Sequence, residues 1–401
     1  MTTPRTGTPR TGPLAQFAEG FAARLEELGY SESTTRSHLG LLAHLSHWLA
    51  TEALDVASLT PRAADRFLQA RREDGYLTKR SIRGLRPLLR YLDALGELSV
   101  AWTAATTVAE QVLDNFRRYL LTERGLGTGT VGLYEGIARS FLSERKEPIR
   151  DDLARLAGAD VSAFVVEQCA IRSSASAKNV VFGLRALLQF LYVDGWIQNE
   201  LSAAVPAVAR RDRGLPRAME AEQVDRILAS CDRDTPVGIR DFAILIVLAR
   251  LGLRAQEVAR LALRDIDWRA GEVLVHGKGV RLEQLPLPVD VGEAVADYVR
   301  RGRPRCTCPY LFVRSCAPLT GLSRQAISGI VRAACSRAGV PAAGPHRFRH
   351  TVATGLLRHG ASLPEIGQLL RHKSVGTTAI YAKVDSASLS TLALAWPGAE
   401  A

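Results

Sequence analysis

Residues 84–92 (GLRPLLRYL) return as residues 183–191 (GLRALLQFL), which restricts the N-terminal half of this chain to two copies of one small fold. The flanks keep the same offset, about 96 to 99 residues. Gly96 and Gly195 follow the two runs, Leu59 with Phe67 matches Leu156 with Phe164, and the segment from Gly29 to Thr34 matches that from Gly125 to Thr130. An interval this long exceeds any solenoid period, so each copy is a whole domain rather than one repeat of an array. The copies span about residues 14–100 and 109–205.

Both copies read as all-helical. In the first, Leu39, Leu42, Leu45, Trp48 and Leu49 recur at three- and four-residue steps behind Ser31 and Ser33, candidate N-caps; Phe116, Tyr119 and Leu120 do the same in the second. These apolar residues fill bundle cores. The basic residues carry a different message, since 52 Lys and Arg against 41 Asp and Glu give a net charge of +11 and an isoelectric point near 9.7. A polyanion is the expected partner, because Lys and Arg gain affinity by displacing counterions condensed on phosphates. Candidates for phosphate contact are Arg36, Lys79, Arg80, Arg83, Arg86 and Arg90 in the first copy, and Arg172, Lys178 and Arg185 in the second.

Two segments read as connectors. Residues 1–13 contain TPRTG twice and lack apolar periodicity, as expected of a disordered tail. Residues 206–217 mix Pro and Gly with Arg210, Arg211 and Arg213, as expected of an extended linker crossing a phosphate backbone. No apolar stretch reaches the roughly 18 residues of a membrane span, and no signal-peptide hydrophobic region opens the chain. The expected setting is the bacterial cytoplasm, at the nucleoid. The six cysteines read as free thiols: Cys306 and Cys308 lie closer than zinc-site spacing, and no second matched pair follows, so no metal site is expected.

From residue 218 to 401 the pattern becomes mixed α/β. Ile266-Asp267-Trp268 and Val273-Leu274-Val275 flank Arg269-Ala270-Gly271 as a hairpin, residues 282–287 offer a third strand, and Lys278 falls on the turn between. Pro345 opens a helix that sets His346, Arg349 and His350 on one face, and Ser362 with Glu365 forms a capping box for another. Arg254 follows an apolar helical run, and Glu257, three residues on, can hold its guanidinium or serve the fold. His359 is read as a partner of its helix's C-terminal dipole, and His38, His44, His47 and His276 as structural.

In order, Arg254, Lys278, His346, Arg349, His372 and Tyr381 supply what phosphoryl transfer requires. Guanidinium forks and imidazole donors hold charge on the phosphate oxygens, an ammonium protonates the leaving oxygen, and a phenol attacks. With their contexts, LGLRAQE, GKG, HRFRHT, LRH and TTAIY, these residues resemble the tyrosine recombinases, or phage-type integrases, over roughly residues 216–396.

That resemblance implies a mainly α protein: two helical core-binding domains in tandem, where most relatives have one, and a catalytic domain with a small antiparallel sheet. It implies a site-specific recombinase of integrase or transposase type, acting through a 3′-phosphotyrosine without ATP, metal or other cofactor. Its expected partners are double-stranded DNA recombination sites, further copies of the chain in a tetramer of two paired dimers, and sibling recombinases. In the implied roles Tyr381 attacks, Lys278 protonates the leaving 5′ oxygen, Arg254 and Arg349 brace the phosphate, His372 donates to it, and His346 acts as acid–base. His350 and Glu257 support them. Residues 389–396 are a short apolar helix resembling the element by which relatives dock on a neighbouring protomer. Two other readings are a type IB topoisomerase-like nicking–closing enzyme, against which that tail argues, and a non-catalytic DNA-binding regulator, against which the intact Tyr381 and Lys278 argue.

Overall fold

The computed structural model describes residues 12–98, 107–172, 174–207, 218–277 and 282–371, with Thr378 and Tyr381. It is mainly helical, with one three-stranded sheet. The chain divides into two compact units, residues 1–44 with 214–401, and residues 45–213; the division falls inside a helix. Among the described residues no helix is long and apolar enough to cross a membrane.

Two similar runs of helices come first. Helices α1 (Ala18–Glu27), α2 (Glu32–Thr51), α3 (Pro61–Glu73) and α4 (Ile82–Ala94) precede α5 (Val108–Thr122), α6 (Thr128–Ser143), the short α7 (Ile149–Ala154), α8 (Gly158–Ala170) and α9 (Ser174–Val193). Ser31 caps α2, its Oγ accepting from the Thr34 backbone N–H, whereas Ser33 lies within the helix. Gly29, Gly96, Gly125 and Gly195 all take left-handed φ, between 57° and 77°, at matching helix ends. There an L side chain would be strained, which is why glycine marks both copies. In α5–α9 the core is built from Phe116, Phe141, Phe164, Leu184, Leu187 and Phe190 with their aliphatic neighbours.

The remainder of the chain holds α10 (Ala221–Ala229), α11 (Pro236–Leu251), α12 (Ala255–Arg260), β1 (Ile266–Asp267), β2 (Glu272–His276), β3 (Leu282–Pro286), α13 (Val289–Asp297), α14 (Arg324–Arg337), α15 (Pro345–Arg358) and α16 (Leu363–Leu369). The strands run antiparallel in the order β1-β2-β3, with Val273 opposite Ile266 and Leu285. Helix α11 is apolar nearly all round and forms the hub of the core, as a central helix must. Thr235 caps its start and Pro236 occupies its first position. It stops at Gly252, φ 57°, whose left-handed turn delivers Arg254 to the start of α12. A Cβ at Gly252 would come within 3.0 Å of Leu370, so a close approach fixes the glycine as well.

Candidate active site

Three chain segments converge around Glu257, the most deeply placed carboxylate of the site, only 3% exposed. Its Oε1 accepts from Arg254 Nη1 at 2.6 Å, and its Oε2 from the Arg254 backbone N–H at 2.8 Å. Arg371 Nη2 reaches the same Oε2 at 2.9 Å. Burial alone would raise the Glu257 pKa, but Arg371, the Arg254 amide and the Arg254 guanidinium together hold it below the ordinary carboxylate value. Glu257 is therefore ionised, and it fixes one edge of the Arg254 fork.

Helix α15 brings the other cation. Arg349, 4% exposed, donates from Nη1 to the Gly252 carbonyl at 2.8 Å, while its Nη2 meets no hydrogen-bond partner among the described residues. Burial and the nearby Arg254 and Arg371 charges push its pKa down to about 9, so it stays protonated at neutral pH. A buried guanidinium with an unmet N–H and cationic neighbours is short of an anion. One turn away on the same helix, His346 stands at the surface. Desolvation by the protein around it, then Arg349, Arg324 and Arg254, lower its pKa.

Tyr381 is buried, 1% exposed, among Ala353, Ile366 and Leu370. Its hydroxyl lies 2.9 Å from His350 Nδ1, with the rings edge-to-face. Burial raises the phenol pKa against the pull of Arg349, and burial with His346 and Arg349 lowers that of His350. Both directions favour a neutral pair in which the phenol O–H donates to an unprotonated Nδ1. Sequence reasoning put His350 in a supporting place and offered His346 as proton acceptor; the hydroxyl contact seen here is with His350.

Other expectations divide. Ser362 and Glu365 form their capping box at α16, and His359 Nδ1 meets the Gly355 carbonyl at 2.7 Å at the end of α15. His276 pairs with Asp265 at 3.2 Å beside the sheet. Lys278, His372, Arg210, Arg211, Arg213 and the 389–396 tail lie outside the described residues. Arg80, Arg83, Arg86 and Arg90 are exposed, the last three at i, i+3 and i+7 on one face of α4. Lys79 differs: its Nζ is buried without a hydrogen-bond partner among the described residues, and burial with the nearby Arg71 charge lowers its pKa to about 8. Arg185 donates to the Val205 carbonyl at 2.8 Å, which commits one edge of its fork to its own domain. Arg172 folds back on Gln168, and Lys178 is half-buried. Sequence reasoning missed Arg371, for which no local motif gives a signal.

A phenol, two imidazoles and two guanidinium groups brought near one another in this way are groups that can carry phosphoryl transfer to tyrosine. Residues 217–388 match the model of the phage integrase family. The chain is 41% identical over 395 residues to y4rA, a candidate integrase/recombinase of Sinorhizobium fredii, covering 97% of this chain and 96% of that one. In fold it is similar to XerH site-specific recombinase bound to palindromic difH in a post-cleavage complex (TM-score 0.54, 19% identity, 82% of this chain and 93% of that one). It is likewise similar to a lambda integrase dimer bound to a COC' core site (TM-score 0.53, 17% identity, 84% and 89%). The chain belongs to the phage integrase family of tyrosine recombinases.

Proposed function

We propose that this chain is a site-specific DNA recombinase in which Tyr381 attacks a scissile phosphate, giving a 3′-phosphotyrosine and a free 5′-hydroxyl. The observation that carries the reading is the Tyr381 hydroxyl on His350, one residue from an Arg349 fork whose Nη2 meets no hydrogen-bond partner among the described residues. The phenol loses its proton as it attacks, and the neutral His350 is placed to hold that proton, with His346 on the same helix face as the alternative acceptor. Arg254 and Arg349 brace the non-bridging oxygens, His372 donates to them, and Lys278 protonates the departing 5′ oxygen. The phosphotyrosine retains the bond energy, so a second 5′-hydroxyl reverses the step and completes strand exchange.

The second helical domain, residues 109–205, holds DNA beside the cleavage site. The first domain adds outlying contacts through the exposed α4 arginines. Four copies act together on two paired sites, exchanging their C-terminal tails. The family relationship and the DNA-bound neighbours in fold support a DNA partner and assembly on it.

The test maps covalent protein–DNA complexes across DNA flanking the gene, with EDTA present throughout, since guanidinium groups supply the charge a metal would otherwise bring. Wild type should give adducts with 3′-linked protein, and Tyr381→Phe should bind equally but give none. Adducts formed by Tyr381→Phe at the normal rate would overturn the assignment.

A further inference from the structure

Arg371 is an arginine where the backbone favours glycine, with φ 54°, and it is only 7% exposed. A bulky cation in that conformation and that depth is sustained only by strong partners. Its Nη2 holds Glu257 Oε2 at 2.9 Å, its Nε faces Glu283 Oε2 at 3.7 Å on β3, and its Nη1 donates to the Leu369 carbonyl at 3.0 Å. Its own carbonyl accepts from Arg254 Nη2 at 3.3 Å. Arg371 thus touches Arg254 twice, directly through its backbone and indirectly through Glu257. It also joins the start of α12 to β3, and it immediately precedes His372 in the chain.

We propose that Arg371 is a positioning residue for phosphoryl transfer: it shares the Glu257 carboxylate so that Arg254 is not consumed in a closed ion pair, and it holds Arg254 toward the scissile phosphate. The charges make the point. Arg254 and Arg371 share the Glu257 carboxylate, with Glu283 beside Arg371, and without Arg371 the Arg254–Glu257 pair is neutral and free to close face to face. A neutralised, turned fork has little to offer a phosphate whose charge is being redistributed. The inference rests on the reading of Arg254 as a phosphate-binding residue.

The experiment uses the full chain and the duplex site found by covalent mapping, with either an ordinary phosphodiester or an uncharged methylphosphonate at the scissile position. Glycine suits the left-handed backbone, so Arg371→Gly removes the side chain without adding strain. On the phosphodiester it should form adduct about 100-fold more slowly than wild type. On the methylphosphonate, which lacks the charge Arg254 answers, the two proteins should agree within about threefold. Arg371→Lys should recover part of the rate, because its ammonium keeps the charge but not the planar fork. Equal losses on both substrates, or no loss on either, would overturn the proposal. If Arg371→Gly does not fold, Arg371→Lys takes its place: a loss confined to the phosphodiester supports the proposal, and equal losses or none overturn it. A wild-type protein that forms no adduct would instead sink the tyrosine mechanism, separating the two failures.

Discussion

Replacing Glu257 with Gln changes one atom in a site where three N–H groups converge. The carboxylate accepts from Arg254 Nη1, Arg371 Nη2 and the Arg254 amide, and its side chain is 4% exposed, against 2% for Arg371 and 32% for Arg254. In Glu257→Gln the carboxamide keeps one acceptor and turns an NH₂ toward a guanidinium, setting donor against donor. Removing one member of a buried ion pair costs about 3–5 kcal/mol. The partial exposure of Arg254, which lets water take up some of its released charge, puts the expected loss near the lower end, about 3 kcal/mol. For a unit of this size each kcal/mol moves the melting temperature by about 2–4 °C, so the catalytic unit should melt roughly 6–12 °C lower.

The pH dependence supplies an internal check. The folded pKa of Glu257 lies below its ordinary 4.5, so its contribution is fully present above about pH 4.5 and fades as pH falls through the folded value. The gap between wild type and Glu257→Gln should therefore be widest near neutrality and close in acid. Calorimetric melts of both proteins from neutral to acid pH measure it. A shift under about 2 °C at neutral pH, or a gap that does not narrow in acid, would refute the claim that this carboxylate holds the two arginines.

Lys278→Ala should slow cleavage of ordinary DNA by about 10²–10⁴-fold yet spare a substrate with a 5′-thiolate leaving group, which departs without protonation; equal impairment on both would leave Lys278 only a positioning role. His346 and His350 have folded pKa values below the ordinary 6.5, so they contribute stability above about pH 6.5 that is lost as pH falls through the folded values. Melting temperatures between about pH 5 and 8 should fall on acidification, and the fall should flatten in the His346→Gln/His350→Gln double variant; an unchanged slope would contradict the lowered pKa of the two histidines. Changing Arg83, Arg86 and Arg90 together to Ala should weaken DNA binding and reduce the slope of log affinity against log salt by up to about 3, one for each phosphate that is no longer neutralised. An unchanged slope would remove α4 from the DNA surface.

Local rules made part of this molecule legible. The 3.6-residue period was enough to put His346, Arg349 and His350 on one face of α15, and the Ser362–Glu365 pair was enough to start α16. Glycines at matching places in the two helical copies pointed to helix ends because left-handed backbone demands them. What local rules do not reveal is where a cation spends its charge. Lys79 and Arg185 read as phosphate contacts like the arginines of α4, yet one buries its ammonium and the other binds a carbonyl 20 residues away.

Arg371 marks the limit most clearly. Its partner Glu257 is 114 residues distant, and Glu283 sits on a strand that enters the chain between them. A nucleophile or a general acid is recognisable by residue type, because few side chains do that chemistry. A residue that acts through a shared carboxylate has no such signature, since its effect depends on which carboxylate the fold presents and on what else that carboxylate holds. Only when α12, β3 and the end of α16 meet does an arginine in a glycine-like conformation become intelligible, and its charge then reaches the phosphate through Arg254 rather than by contact.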